Sequence, residues 1–81
     1  MIKIEIYTGN NCHLCDVMKN LVNEFRTEFS FEFKEIDIKS DVELFREFKD
    51  KIPVLKINGN IFAKFSLDSK KFRKKLENLS L

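Results

Sequence analysis

Ile2-Lys3-Ile4-Glu5-Ile6-Tyr7-Thr8-Gly9-Asn10-Asn11-Cys12-His13-Leu14-Cys15 is the stretch that decides the fold. Ile2, Ile4 and Ile6 alternate with Lys3 and Glu5, the period-two pattern of a strand, and the run continues into Tyr7. Thr8-Gly9-Asn10-Asn11 reads as a turn. Beyond it Leu14, Val17, Met18, Leu21, Val22, Phe25 and Phe29 recur at helical spacing, predicting one apolar stripe, with Asn11 as the expected N-cap. Cys12 and Cys15, the only cysteines, then fall on the first helical turn, where a disulfide can close over them.

That position has chemical consequences. The thiolate is the attacking species in disulfide exchange, and unpaired N–H groups at a helix start, with the macrodipole, favour a negative sulfur there. Lowering a thiol from about 8.5 to about 7 raises its thiolate fraction at neutral pH roughly fifteenfold. Intrinsic nucleophilicity falls roughly fivefold at a Brønsted slope of about 0.45, leaving a net gain of about threefold in attack. The larger gain is in departure, because a stabilised Cys12 thiolate is the better leaving group whenever the sulfur bonded to it is attacked. Cys12 is therefore the candidate nucleophile and Cys15 the more buried resolving thiol.

Downstream, Phe31, Phe33, Ile36 and Ile38 read as a second strand whose alternation changes phase between Phe33 and Ile36, through a bulge or through burial on both faces. Ser40-Asp41-Val42-Glu43 has the form of a capping box, and Leu44, Phe45 and Phe48 supply the buried side of a helix ending near Asp50. Ile52 to Ile57 is a third strand, Asn58-Gly59 a type I′ hairpin signal, and Asn60 to Phe65 a fourth strand. Asp68 or Ser69 caps a last helix that buries Phe72, Leu76 and Leu79. The first strand-helix-strand unit is expected to be parallel by a right-handed crossover, and the hairpin adds antiparallel strands. The expected fold is α/β, ordered β-α-β-α-β-β-α, with a mixed four-stranded sheet flanked by helices in one domain over residues 1–81. No linker, repeat or low-complexity segment interrupts it.

At 81 residues the chain buries about 60 per cent of its unfolded surface, so the core needs large side chains, and nine phenylalanines supply them. Two cysteines are too few for a secreted disulfide scaffold, and Met1-Ile2-Lys3-Ile4-Glu5 opens no long apolar run. The expected compartment is the cytoplasm, with no membrane partner. There a Cys-x-x-Cys pair is more often redox-active or metal-binding than structural. A net charge of +2 is too mild to indicate nucleic acid.

Tyr7-Thr8, Cys12-His13-Leu14-Cys15-Asp16, Glu35-Ile36-Asp37-Ile38, Ile52-Pro53-Val54 and Asn58-Gly59 fall in glutaredoxin-like order. Over nearly its whole length the chain resembles a small glutaredoxin-like protein of the thioredoxin superfamily. The resemblance implies a thioredoxin-like fold of glutaredoxin type and a dithiol-disulfide oxidoreductase, with Pro53 cis and facing the cysteines. It also implies that Ile52 presents backbone groups to an extended substrate by strand addition. The implied partners are protein or small-molecule disulfides and an external thiol or reductase donor, acting on a monomer with no bound cofactor. Glutathione-using members usually carry a Lys shortly before the first cysteine, a Thr-Val-Pro type segment and a Gly-Gly-x-Asp turn. The matching stretches here are Thr8-Gly9-Asn10-Asn11, Lys51-Ile52-Pro53 and Ala63-Lys64-Phe65-Ser66, so glutathione remains a candidate reductant without its usual binding residues.

Two other uses of the cysteines compete with this one. Metal binding or delivery would use the same thiolates, but zinc normally takes four ligands, and the chain offers Cys12, Cys15 and an adjacent His13 that cannot easily face the same ion. No metal site is therefore expected within one chain; a cluster shared by two chains is a weaker alternative. His13 and Tyr7 are possible modulators of the thiolate, set against an exposed imidazole and simple packing. Lys70, Lys71, Arg73, Lys74 and Lys75 form a basic run on the last helix, read as a solvated face ahead of a docking surface for an acidic partner or phosphate backbone.

Overall fold

The computed structural model describes residues Met1–Leu81. In chain order it contains β1 (Lys3–Thr8), α1 (His13–Glu24), β2 (Glu32–Asp37), α2 (Val42–Phe48), β3 (Val54–Ile57), β4 (Asn60–Lys64) and α3 (Ser69–Leu79). Single 3-10 turns at Phe25–Thr27 and Ile38–Ser40 complete the list of helical pieces. The sheet has the order β2-β1-β3-β4. β1 and β2 are parallel, in register from Lys3↔Glu32 to Thr8↔Asp37, whereas β3 is antiparallel to both β1 and β4. This is the mixed α/β architecture expected from the pattern.

The alternation of β1 divides the apolar side chains between the two faces of the sheet. Ile4 and Ile6 join Met18 and Val22 of α1, Leu55 of β3, and Phe72 and Leu76 of α3 in the larger core. Phe25 meets Phe72 edge-on there, with centroids 5.0 Å apart. Tyr7 belongs to a smaller core with Ile38, Phe48 and Val54, against which Ile36, Leu44 and Ile52 pack. Full burial of each such side chain stabilises the fold by about 1.5–3 kcal/mol relative to exposure. No helix is long and apolar enough to cross a membrane.

Several local expectations are corrected. The buried stripe of α1 consists of Cys15, Met18 and Val22, while Leu14 is 49% and Val17 51% exposed. At about 100° per residue these two side chains are rotated away from the centre of the stripe, so helical spacing alone placed them inside. The helix stops at Glu24 and tightens into a 3-10 turn, so Phe29 packs on the large core from beyond it. Of the two readings of the phase change in β2, burial on both faces holds and a bulge does not: the register with β1 is continuous, and Phe31 and Phe33 serve one core while Ile36 and Ile38 serve the other. The irregularity lies instead between Leu55 and Lys56 in the β3-β4 pairing.

Ser40 does not cap α2. Its hydroxyl donates to the Asp37 carbonyl at 2.7 Å, and Asp41 is the cap, its Oδ1 accepting from the Glu43 and Leu44 N–H groups at 2.8 and 3.3 Å. An aspartate carboxylate caps as well as a serine hydroxyl, so the helix begins one residue later than the motif suggested. Phe45 is 38% exposed, leaving Phe48 as the buried anchor of α2. Asp68 caps α3 in the same way as Asp41 caps α2. Asn58 (φ 50°) and Gly59 (φ 86°) take the left-handed conformations that a type I′ turn requires.

Candidate functional site

The cross-strand rows Tyr7↔Val54 and Val54↔Lys64 bring the end of β1, the start of β3 and the end of β4 to one end of the sheet. The turn after β1 packs on the segment before β3: a Cβ built on Gly9 would lie 2.8 Å from Ile52 Cδ1. Pro53 is buried and joined to Ile52 by a cis peptide bond, and its carbonyl accepts the N–H of Phe65 at 2.8 Å. The backbone N–H and C=O of half-buried Ile52 take part in no hydrogen bond within the chain.

Cys12 and Cys15 form a disulfide with Cα atoms 5.2 Å apart. Asn11 is not the N-cap expected from the sequence; it adopts φ 54° and delivers the chain to Cys12, which caps α1 itself. Cys12 is extended at φ −109°, ψ 97°, its Sγ accepts the Cys15 N–H at 3.1 Å, and its carbonyl accepts the Asp16 N–H at 3.3 Å. Sulfur thus occupies the place where a serine or aspartate oxygen usually satisfies one of the orphan donors of a helix. The two sulfurs differ in access. Cys12 is half-buried, whereas Cys15 opens the buried stripe of α1 and is 2% exposed.

Other side chains around the pair hold the elements in place. Thr8, the buried polar residue of the core, donates from Oγ1 to Glu35 Oε2 at 3.2 Å. Lys19 bridges Glu35 at 3.4 Å and Asp16 at 3.9 Å, so β1, α1 and β2 are tied together beneath the cysteines. Exposed pairs of this kind contribute at most about 1 kcal/mol, and their role here is chiefly orientation. Tyr7 packs against Phe48, with Lys56 Nζ 5.1 Å from its ring centroid. His13 is exposed on the first turn of α1, without a hydrogen bond or ion pair from its side chain. No group of three or more His, Cys, Asp or Glu side chains gathers as a metal site.

The basic run of the last helix is divided by the fold. Phe72 is core, and Arg73 turns towards the C-terminal end of α1, where its guanidinium makes a two-pronged pair with Glu28. The hydrogen bond from Arg73 holds the Glu28 carboxyl below its ordinary range. Lys71, Lys74 and Lys75 instead line a cleft of about 510 Å³ with Lys64 of β4.

A family model described as the glutaredoxin-like domain (DUF836) matches residues 3–77. The chain belongs to that family. Among solved structures, this glutaredoxin-like chain is similar to protein Ne2328 from Nitrosomonas europaea, at 27% identity and a TM-score of 0.80, with 93% of this chain and 91% of that one covered. It is also similar to protein XcR50 from X. campestris, at 24% identity and a TM-score of 0.74 over 93% and 96% of the two chains. A mutant thioredoxin from Halobacterium salinarum shares the fold at 13% identity, with a TM-score of 0.69 over 95% and 73%. The fold is thus thioredoxin-like, and a Cys12–Cys15 disulfide on it supports a function of redox type.

Sequence reasoning singled out the cysteines and Ile52-Pro53, and these lie at the same end of the sheet. It placed Phe65 at the end of a strand and in the stretch matched to a glutaredoxin turn, but missed its positive φ, and it missed the exposure of Leu14 and Val17. Helical spacing placed Leu14 and Val17 inside, and periodicity says nothing of φ; both features become visible only once the rotation of α1 and the turn after β4 are known.

Proposed function

We infer that the glutaredoxin-like domain is a thiol-disulfide oxidoreductase in which Cys12 attacks and Cys15 resolves. The observation that carries this reading is the asymmetry of the pair: Cys12 is accessible and its Sγ faces the Cys15 N–H, while Cys15 is 2% exposed. In the reduced protein the Cys12 thiolate attacks one sulfur of a substrate disulfide, forming a mixed disulfide and expelling the other substrate sulfur as a thiolate. Cys15, losing its proton to solvent, then attacks Cys12 Sγ. The second substrate thiolate leaves, and the Cys12–Cys15 disulfide holds the two-electron oxidation that balances the substrate's reduction to two thiols. An external thiol, glutathione among the candidates, or a reductase returns the dithiol by the reverse exchange.

The N–H donor at Cys12 Sγ assists the first step, by favouring the attacking thiolate. Ile52 supports the substrate-binding part of the reading, because its unpaired backbone groups suit an extended strand laid beside the cysteines, with Pro53 buried behind them. The protein acts as a monomer on protein or small disulfides, and a reducing compartment such as the cytoplasm keeps the dithiol available.

The test is reduction of a small disulfide by the pre-reduced protein and by its Cys12→Ser and Cys15→Ser variants. Cys12→Ser abolishes turnover, while Cys15→Ser accumulates a mixed disulfide detectable by mass. Full turnover by Cys12→Ser would remove Cys12 as the nucleophile. A stoichiometric metal in anaerobically purified protein would replace the redox reading with metal binding by the same thiolates.

A further inference from the structure

Three residues other than glycine adopt positive φ: Asn11, Asn58 and Phe65. Asparagine tolerates this region; a bulky aromatic rarely enters it, since its Cβ crowds the backbone. Phe65 does so at φ 68°, fixed by two short backbone bonds, its own N–H to the Pro53 carbonyl at 2.8 Å and the Ser66 N–H to the Lys64 carbonyl at 2.7 Å. Core packing does not repay this conformation, because the side chain is 48% exposed and lies outside both buried clusters. A strained, exposed aromatic is therefore bonded through its backbone to the residue that adjoins the free backbone groups of Ile52.

Leu14 and Val17 are likewise exposed, on the first two turns of α1 that carry the cysteines. Apolar side chains thus stand on α1 and on the turn after β4, the two elements bordering the end of the sheet where Cys12 and Ile52 lie. An extended chain paired with Ile52 offers its side chains alternately to either side, so residues next to its cystine come within reach of this rim.

We propose that Phe65 is a specificity-determining residue that selects polypeptide substrates with a large apolar side chain beside the reactive cystine, Leu14 and Val17 supplying the opposite rim. This rests on the redox reading above. It narrows the substrate class to apolar-flanked disulfides, as exposed in unfolded or partly folded proteins, in preference to small polar disulfides.

The experiment compares two cystine peptides of equal length and charge, one with leucine and phenylalanine flanking each cysteine and one with serine. Native protein is expected to reduce the apolar peptide with a kcat/KM about tenfold higher, the discrimination obtained when roughly 55 Å² of apolar surface leaves water. Phe65→Gly, which suits the positive φ, brings that ratio to below about threefold without lowering the melting temperature. Phe65→Tyr, which keeps the ring, retains the native ratio. An unchanged ratio in Phe65→Gly, or no preference in the native protein, overturns the proposal. If neither peptide is reduced, the redox reading itself has failed; binding of fluorescent peptides with serine in place of both cysteines then decides the role of Phe65. In that arm the apolar peptide binds the native protein about tenfold more tightly than Phe65→Gly, and equal affinity refutes the proposal.

Discussion

Cys12 caps α1 and, on the proposed function, also carries the attacking sulfur, two roles that substitution can separate. Its Sγ accepts the Cys15 N–H at 3.1 Å in the place of an N-cap oxygen. Cys12→Ala removes that acceptor and leaves the donor to water, a change that costs about 1 kcal/mol at N-caps, within a range of about 0.5–2. Cys12→Ser keeps an acceptor of a preferred capping type. A domain of this size has a stability of about 4–12 kcal/mol at about 0.05–0.15 kcal/mol per residue, so the difference is measurable. In a domain of 60–100 residues, about 1 kcal/mol moves the melting temperature by about 4–8 °C. Thermal unfolding followed by circular dichroism, with all proteins reduced, should place Cys12→Ser near the native protein and Cys12→Ala about 4–8 °C below it. Both variants should lack turnover. The comparison must be made in the reduced state, since closing even this short loop adds about 2 kcal/mol by restricting the unfolded chain. Equal melting temperatures for the serine and alanine variants would falsify the capping role of the sulfur and weaken the electrostatic account of its reactivity.

Phe72→Ala removes the ring at the centre of the α1-α3 seam, which faces Phe25 at 5.0 Å and Phe62 at 6.2 Å. It is expected to cost about 3–5 kcal/mol, read as a lower urea midpoint at unchanged slope; a loss below about 1.5 contradicts the placement of that ring. Glu28 is held below its ordinary value of 4.5 by the hydrogen bond from Arg73. A carboxyl lowered in the folded state stabilises above its unfolded value and loses that contribution as the pH falls through the folded value. The stability gap between native protein and Glu28→Gln should therefore shrink below pH 4.5, and a gap that is flat in acid urea titrations speaks against the pair. Gly59→Ala forces a Cβ onto φ 86° and is expected to cost about 1–2 kcal/mol, although the space around it is open. An unchanged urea midpoint would argue against the type I′ turn.

The fold was legible because local signals agree with the global arrangement: alternation in β1, Asn58-Gly59 at the hairpin and aspartate before α3. The cysteines and Ile52-Pro53 were legible for a different reason, as residues whose chemistry or backbone behaviour is specific to type. What the sequence could not disclose depends on rotation and on φ. Leu14 and Val17 have helical spacing whether the sheet meets that side of α1 or its neighbour. The cap moved from Asn11 to Cys12 because sulfur is a weak acceptor that capping preferences do not rank. Phe65 carries no residue-type signal for the left-handed conformation it adopts, so neither the strand nor the turn it was assigned to marked it. In β2, one short apolar run served two cores, a pattern that alternation alone could not tell from a bulge.

The division into two cores also gives the site unequal anchorage. The helix bearing the cysteines is rooted in a cluster of 11 buried residues, whereas the neighbourhood of Ile52 and Tyr7 rests on a cluster of 4 under the 7-residue α2. Local opening should begin where fewer apolar contacts hold the backbone, so α2 amides should exchange with solvent before those of α1 or β3. On the proposed function, warming would then loosen the wall that orders an incoming strand while the dithiol stays cocked on its helix. Discrimination between substrates would fade at a lower temperature than the capacity to exchange disulfides.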